Sequence, residues 1–340
     1  MIHRSQRTRS YKMAMATVAA ALATLTLAAC GSDEGGGSSE NGGGSYNMAT
    51  QPWLGYGPWF IADEQGFFKD KGVDVKLTMF DNDADMSAAL AGGRVDFANA
   101  ASHSALQWLE QGLPIKIVLL LDASLQADAI LVDSSVDSVA DLAGKQVAYE
   151  EGGVSNLLLN YALATEDLSV DDVKSVPMGP SEAATALLSG RVPVAVTYEP
   201  YISEAKSSGA DFEVLFTAAE QPGLISDVLV VSDKIIEEDP EGVQAVIDAW
   251  APSVSYYDDK TEDAQAIIAE GVGSKPEELK TAFEGVEFYD GAENKEMFVG
   301  EYQEKTMPVV EEAAIEAKIL KGPTEWKDSI VNTFVEAMPD

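Results

Sequence analysis

The chain has 340 residues, of which 57 are acidic and 22 basic, for a formal net charge of −35. A field of that sign repels nucleic acid and anionic lipid head groups and argues against a polyanionic partner, although a solvated acidic surface accounts for most of it. With one cysteine and two histidines, a disulfide framework and a His-rich or thiolate metal centre are excluded, and no cofactor is expected.

The first element is a leader. Arg4, Arg7, Arg9 and Lys12 precede an uncharged stretch from Met13 to Ala29, which ends at Leu27-Ala28-Ala29-Cys30. A basic segment followed by a short apolar one is a secretory signal, too short to span a bilayer comfortably. Residues 1–29 resemble a bacterial lipoprotein signal, which implies lipid attachment at Cys30 and an extracytoplasmic protein anchored to the membrane without crossing it. Gly31 to Ser45 is almost entirely Gly, Ser, Glu, Asp and Asn, so residues 30–45 are a flexible tether.

From Tyr46 onward, short β-rich runs alternate with helical stretches, the signature of a parallel α/β sheet. The predicted elements are a strand over 46–50, a helix over 58–68, a strand over 73–80, a helix over 83–91, strands over 95–100, 115–121 and 129–132, and a helix over 104–111 between the first two of these. A second unit starts near Asp133, with strands over 146–149, 173–176, 194–198 and 212–216 and a helix over 154–163. The run Thr185 to Val192 (TALLSGRV) echoes Ala88 to Val95 (AALAGGRV), each a helix closed by glycine before a buried strand. Strand 228–231 carries the chain back, and the remainder is helical: 241–257, 261–270, 276–283, 294–318 interrupted at Pro308, and 325–338. Two lobes follow, 46–131 plus 228–340 and 132–227, hinged near Val132 and Asp227.

In an open α/β sheet the ligand lies outside the carboxyl ends of the strands. Those ends are followed by Asp81-Asn82-Asp83, Asp122-Ala123-Ser124, Glu150-Glu151-Gly152-Gly153 and Glu199. The basic residues Arg94, Lys116, Lys145 and Arg191 fall at or before strand starts, at the other pole. Any one of these carboxylates is about as readily a helix cap as a ligand group, since Asp favours N-caps; as a set they point to a cleft. The loop Gln51 to Trp59 adds Trp53, Tyr56 and Trp59, and rings beside carboxylates recognise organic cations. Packing is the better reading for Trp59, a ligand role for Trp53. His103 reads as a capping or packing residue first. An anion would be met by Arg forks or a bare helix N-terminus, which Gly152-Gly153 could provide.

Several stretches together resemble a known family: Pro52-Trp53, Gly57-Pro58-Trp59, Ala62 to Phe68, Ala88 to Phe97, Asp141 to Gly144, Glu151 to Ser155, Tyr198-Glu199-Pro200 and Pro222 to Asp227. The resemblance, from Gln51 to about Tyr302, is to the nitrate/taurine class of ABC transporter substrate-binding proteins, which includes sulfonate, taurine and thiamine-precursor binders. It implies a type II periplasmic-binding-protein fold, a cleft closing on a small solute, and delivery to a membrane permease powered by a separate ATPase. The chain departs from the nearer subset of that class at Ser102-His103-Ser104, so that subset's ligand does not carry over. The expected shell is Trp53, Tyr56, Asp81, Asp83, Ser102, Asp122 and Ser124 from one lobe, and Glu151, Ser155, Tyr198 and Glu199 from the other, with Asp227 at the hinge. The favoured solute is an organic cation or neutral nitrogen compound, guanidine-, amine- or pyrimidine-like; a taurine-, alkanesulfonate- or nitrate-type anion is the alternative. A monomer is expected. An enzyme is disfavoured, because with His103 as the one histidine past the leader, neither a triad nor a metal site is well supplied.

Overall fold

The computed structural model describes residues 43–339, so the leader, Cys30 and most of the tether lie outside the described residues. Among the described residues, eleven strands occur in chain order: β1 (Ser45–Thr50), β2 (Asp74–Met79), β3 (Phe97–Ala101), β4 (Ile115–Ser124), β5 (Asp128–Val132), β6 (Gln146–Tyr149), β7 (Lys174–Pro177), β8 (Val194–Tyr198), β9 (Glu213–Thr217), β10 (Ser226–Ser232) and β11 (Val286–Phe288). They form a six-stranded sheet of order β11-β4-β10-β3-β1-β2 and a five-stranded sheet of order β7-β6-β8-β5-β9. Both are mixed rather than wholly parallel. β10 runs antiparallel to β3 and β4, and β5 antiparallel to β8 and β9.

The chain passes from the first sheet to the second between Ser124 and Asp128 and returns between Thr217 and Ser226. β5 and β10 are thus the first strand after each crossing. The strand at Asp128–Val132, read from sequence as leading out of the first lobe, is hydrogen-bonded wholly within the second sheet. A crossing strand enters its sheet against the direction of its neighbours, and so its beginning lies at the edge where theirs end. Asp128 is level with Tyr198, and Asp227 with Ala101. That reversal decides which side chains meet.

Sequence accounts for the central strands. β4 reads Ile-Lys-Ile-Val-Leu-Leu-Leu-Asp-Ala-Ser and is buried at every residue but Lys116, as a strand covered on both faces requires. It runs three residues past its expected end at Leu121, which puts Asp122 and Ser124 inside the sheet. The helices needed here are α1 (Gly57–Gln65), α2 (Asp83–Ala91), α3 (Ser102–Glu110), α4 (Val154–Ala164), α5 (Pro180–Leu188) and α6 (Tyr201–Ser207). α1 stops short of Phe68 because Gly66 adopts φ +79°, and a separate turn Phe67–Asp70 follows.

The echo between the two halves is structural. After α2, Gly93 N–H donates to Leu90 and Arg94 N–H to Ala89; after α5, Gly190 N–H donates to Leu187 and Arg191 N–H to Ala186, all at 2.9–3.0 Å. Gly93 and Gly190 both sit at positive φ, where a side chain would be strained. The C-terminal region departs further from its reading. The expected helix 241–257 is two helices, Pro240–Ile247 and Trp250–Asp259, and 294–318 divides into Gly291–Glu296, a wide π-turn segment Met297–Thr306, and Met307–Glu316. Pro308 lies in the first turn of the last piece, where its missing N–H costs nothing.

Candidate functional site

A pocket with about 410 Å³ of empty space, part of it open to solvent, is lined by residues of both sheets at the edge just described. Its walls carry four carboxyl groups, Asp83, Asp128, Glu150 and Asp227, and three rings, Trp53, Tyr56 and Tyr198. Among the described residues, no lysine or arginine lines it.

The loop after β1 brings the rings in. Residues Leu54–Tyr56 form a short 3-10 turn that lays Trp53 and Tyr56 over the start of β10. Trp53 Nε1 donates to Asp122 Oδ1 at 3.1 Å, and the Tyr56 hydroxyl donates to Asp227 Oδ1 at 2.8 Å. The turn can lie this low because residue 55 is glycine: a Cβ there would stand 2.2 Å from the Asp122 carboxyl. Tyr198, at the end of β8, meets Trp53 edge to face at a ring separation of 5.9 Å, so the ring wall bridges the two sheets. Trp59 instead stacks on Phe68 and packs against Trp250 in the core.

Asp122 and Asp227 are directly opposed on β4 and β10 and both buried. Like charges so placed destabilise a sheet. Burial, followed by the repulsion of Asp227, pushes the Asp122 carboxyl well above its usual range; burial lifts Asp227 to about 6, against the Tyr56 hydroxyl that stabilises its charge. A proton shared on Asp122 relieves the pair. Asp122 Oδ2 nevertheless has no partner at hydrogen-bonding geometry.

Asp128 begins β5 and is 2% exposed. Burial drives it to about 8, opposed by the Ser124 hydroxyl, which lies near it without well-formed hydrogen-bond geometry, and reinforced by Asp227 and Glu199. Glu150, after β6, is raised to about 7 by burial and then by Asp83. Its carboxyl occupies the space that a Cβ on Gly153 would need, 2.7 Å from Oε2. Asp83, in the first turn of α2, accepts a short hydrogen bond from the Ser104 hydroxyl. The same hydroxyl lies 3.3 Å from Nε2 of His103, whose pKa burial lowers despite the nearby Asp83. His103 therefore stands behind Asp83 rather than on the pocket wall.

Of the residues expected from sequence, Trp53, Tyr56, Asp83, Tyr198 and Asp227 line this pocket. The others do not. Asp81 is exposed beyond the end of β2, and Glu151 is exposed in a neighbouring cavity. Asp122 lies behind Trp53, and Ser124 is buried two residues further along β4. Ser102 is tied to Ser226 and Tyr302 at 2.9 Å each. Ser155 is buried in the first turn of α4, its hydroxyl unpartnered. Glu199 accepts from Ser203 N–H at 2.9 Å and Ser203 Oγ at 3.0 Å, and so holds the start of α6.

The profile of one family, described as NMT1/THI5 like, matches residues 54–264. The chain belongs to the NMT1/THI5-like family. It is similar to a candidate binding protein of Brucella abortus, 26% identical over 189 residues, and spans 55% of its own length but only 58% of that relative's. The riboflavin-binding protein RibY of Chloroflexus aurantiacus is 26% identical over 301 residues, 85% of this chain and 84% of RibY. Among solved structures, the alkanesulfonate-binding protein SsuA of Xanthomonas axonopodis, bound to MOPS, superposes with a TM-score of 0.70 over 85% of this chain and 98% of SsuA, at 17% identity. The chain thus has the periplasmic-binding-protein fold, as expected from the resemblance.

Within that family fold, sequence reading missed Asp128 and Gln51 on the pocket wall, and of the strand-end pair Glu150-Glu151 it chose Glu151 for the shell where Glu150 lines the pocket. Asp128 escaped because weight was placed on strand ends, whereas an antiparallel strand delivers its first residue to the same edge. The signal was present: Asp128 follows the buried run of β4 by four residues and opens an apolar run of its own. Glu150 and Glu151 are adjacent in sequence, and only the backbone direction after β6 separates the inward carboxyl from the outward one.

Proposed function

We propose that this protein is the extracytoplasmic solute-binding component of an ABC importer and that its solute is a small organic cation. The observation that carries the reading is a pocket with four carboxyl groups and three rings on its wall and, among the described residues, no lysine or arginine. Leaving several buried carboxylates near one another is costly, and they either keep protons or gain a cation. A cation supplies the missing charge, and the faces of Trp53, Tyr56 and Tyr198 add a quadrupole contact. Asp128 and Asp227 stand beside the two crossings, so a ligand held by both draws the lobes together. Delivery to a permease, a lipid anchor at Cys30 and a monomeric state complete the proposal.

Among the described residues, no serine, cysteine or histidine lies on the wall of the pocket, so a nucleophile of the serine, cysteine or histidine type has no support there. A sulfonate-type anion is the second reading. It is favoured by the α4 N-terminus, where Gly153 offers no side-chain cap and the Ser155 hydroxyl is unpartnered, since such an end binds anions. Against it stands Glu150, whose carboxyl lies beside Gly153.

A thermal-shift screen of the chain from Ser45 against guanidinium, small amines, pyrimidines, taurine, alkanesulfonates and nitrate tests the proposal, because a ligand of the native state raises the melting temperature. A rise with cations supports it. A rise with sulfonates alone overturns it.

A further inference from the structure

Asp83 and Glu150 serve more than the pocket described above. Both also line a second, outer cavity with about 720 Å³ of empty space, where they are joined by Glu151 and the polar side chains Asn82, Gln107 and Gln111. Carboxyl groups therefore run in sequence from depth to surface. Asp128 and Asp227 are 2% and 4% exposed and line only the inner pocket. Asp83 and Glu150 are half-buried at the threshold, and Glu151 is exposed beyond it.

The inner pair is only partly committed elsewhere in the fold. Asp227 accepts the Tyr56 hydroxyl on one oxygen, and the buried Asp128 accepts no well-formed hydrogen bond among the described residues. A single positive charge seated between them leaves the threshold pair, whose members repel each other, without compensation. The rings of Trp53, Tyr56 and Tyr198 line the same pocket and offer an apolar wall to a methylene chain.

We propose that the ligand is an elongated dication, an α,ω-diamine or aminoalkyl-guanidine, with one charged end between Asp128 and Asp227 and the other between Asp83 and Glu150. The outer cavity gives the second end its route in and room for its hydration. This rests on the reading of the pocket as a cation site and narrows it to ligands with two charges.

Isothermal titration of the chain from Ser45 at about pH 8, where Asp128 and Glu150 can ionise, separates the two claims. The probes are butylamine and the α,ω-diamines from 1,3-diaminopropane to 1,6-diaminohexane, with taurine alongside. At least one diamine should bind about tenfold or more tighter than butylamine, the scale of a second charge-assisted contact. Glu150→Gln and Asp83→Asn should each cut that ratio to about threefold or less; Glu199→Gln, outside the pocket, should leave the ratio as it is. Equal affinity for butylamine and every diamine overturns the dication while the cation site stands. Binding of taurine with no binding of any amine, or no binding of any amine at all, overturns both.

Discussion

Two buried acidic places at the same edge of the second sheet behave differently. Glu199 is 3% exposed, yet both its oxygens are taken, by the amide and hydroxyl of Ser203; it is a structural cap on α6. Asp128 is as buried, has the Ser124 hydroxyl near it without well-formed hydrogen-bond geometry, and lines the pocket without a comparable partner. A carboxylate whose two oxygens each already accept a hydrogen bond has less left for a ligand than one whose oxygens accept none. Burial alone therefore does not mark a recognition residue; burial with unfilled acceptors on the pocket wall does.

Removing the unfilled acceptors should have the largest effect. Asp227→Asn or Asp128→Asn should weaken cation binding about tenfold to a hundredfold by titration calorimetry, the worth of a hydrogen bond to a charged group. An effect on stability with none on affinity would collapse the comparison with Glu199. Gly55→Ala should come next. Its Cβ would overlap the Asp122 carboxyl, displacing the turn that carries Trp53 and Tyr56, and we expect a lower melting temperature together with weaker binding of any ligand.

Protonation sharpens the contrast further. Asp128, Glu150 and Asp227 have folded-state values of about 8, 7 and 6, above the ordinary carboxyl range. A group raised on folding holds its proton more tightly in the native state, so the ligand-free protein should gain stability as pH falls from about 9 toward 5. Cation binding should run the other way, weakening over the same interval and releasing protons at about pH 7. Calorimetry in buffers of different ionisation enthalpy reads that release directly. The smallest effect on binding belongs to Glu199→Gln. Affinity should stay within about twofold, while loss of the filled cap lowers the melting temperature by a few degrees, corresponding to about 1 kcal/mol.

Much of the architecture was legible in sequence because it follows from local patterns. α2, β6 and β8 fall at their predicted residues, and the glycine-closed helix recurs with the same hydrogen bonds in both halves. Trp53 and Tyr56 were found because ring-rich loops after a first strand are conspicuous. The acidic set was only half legible. Residues such as Asp81 and Glu199 satisfy the same sequence criterion as Asp83, and their fates diverge through exposure in one case and a neighbouring serine in the other. Asp128 required knowing that β5 is antiparallel to β8, a fact of long-range pairing that hydrophobic periodicity does not encode.

The central claim, that the carboxyl-lined pocket takes a cation, is tested most directly by titrating the chain from Ser45 with guanidinium, small amines and taurine at about pH 8 and about pH 5.5, on either side of the pocket's protonation range. The account predicts saturable binding of a cation at the higher pH, loss of most of it at the lower, and no binding of taurine. Taurine binding that strengthens at the lower pH, with no cation bound at either, would contradict it.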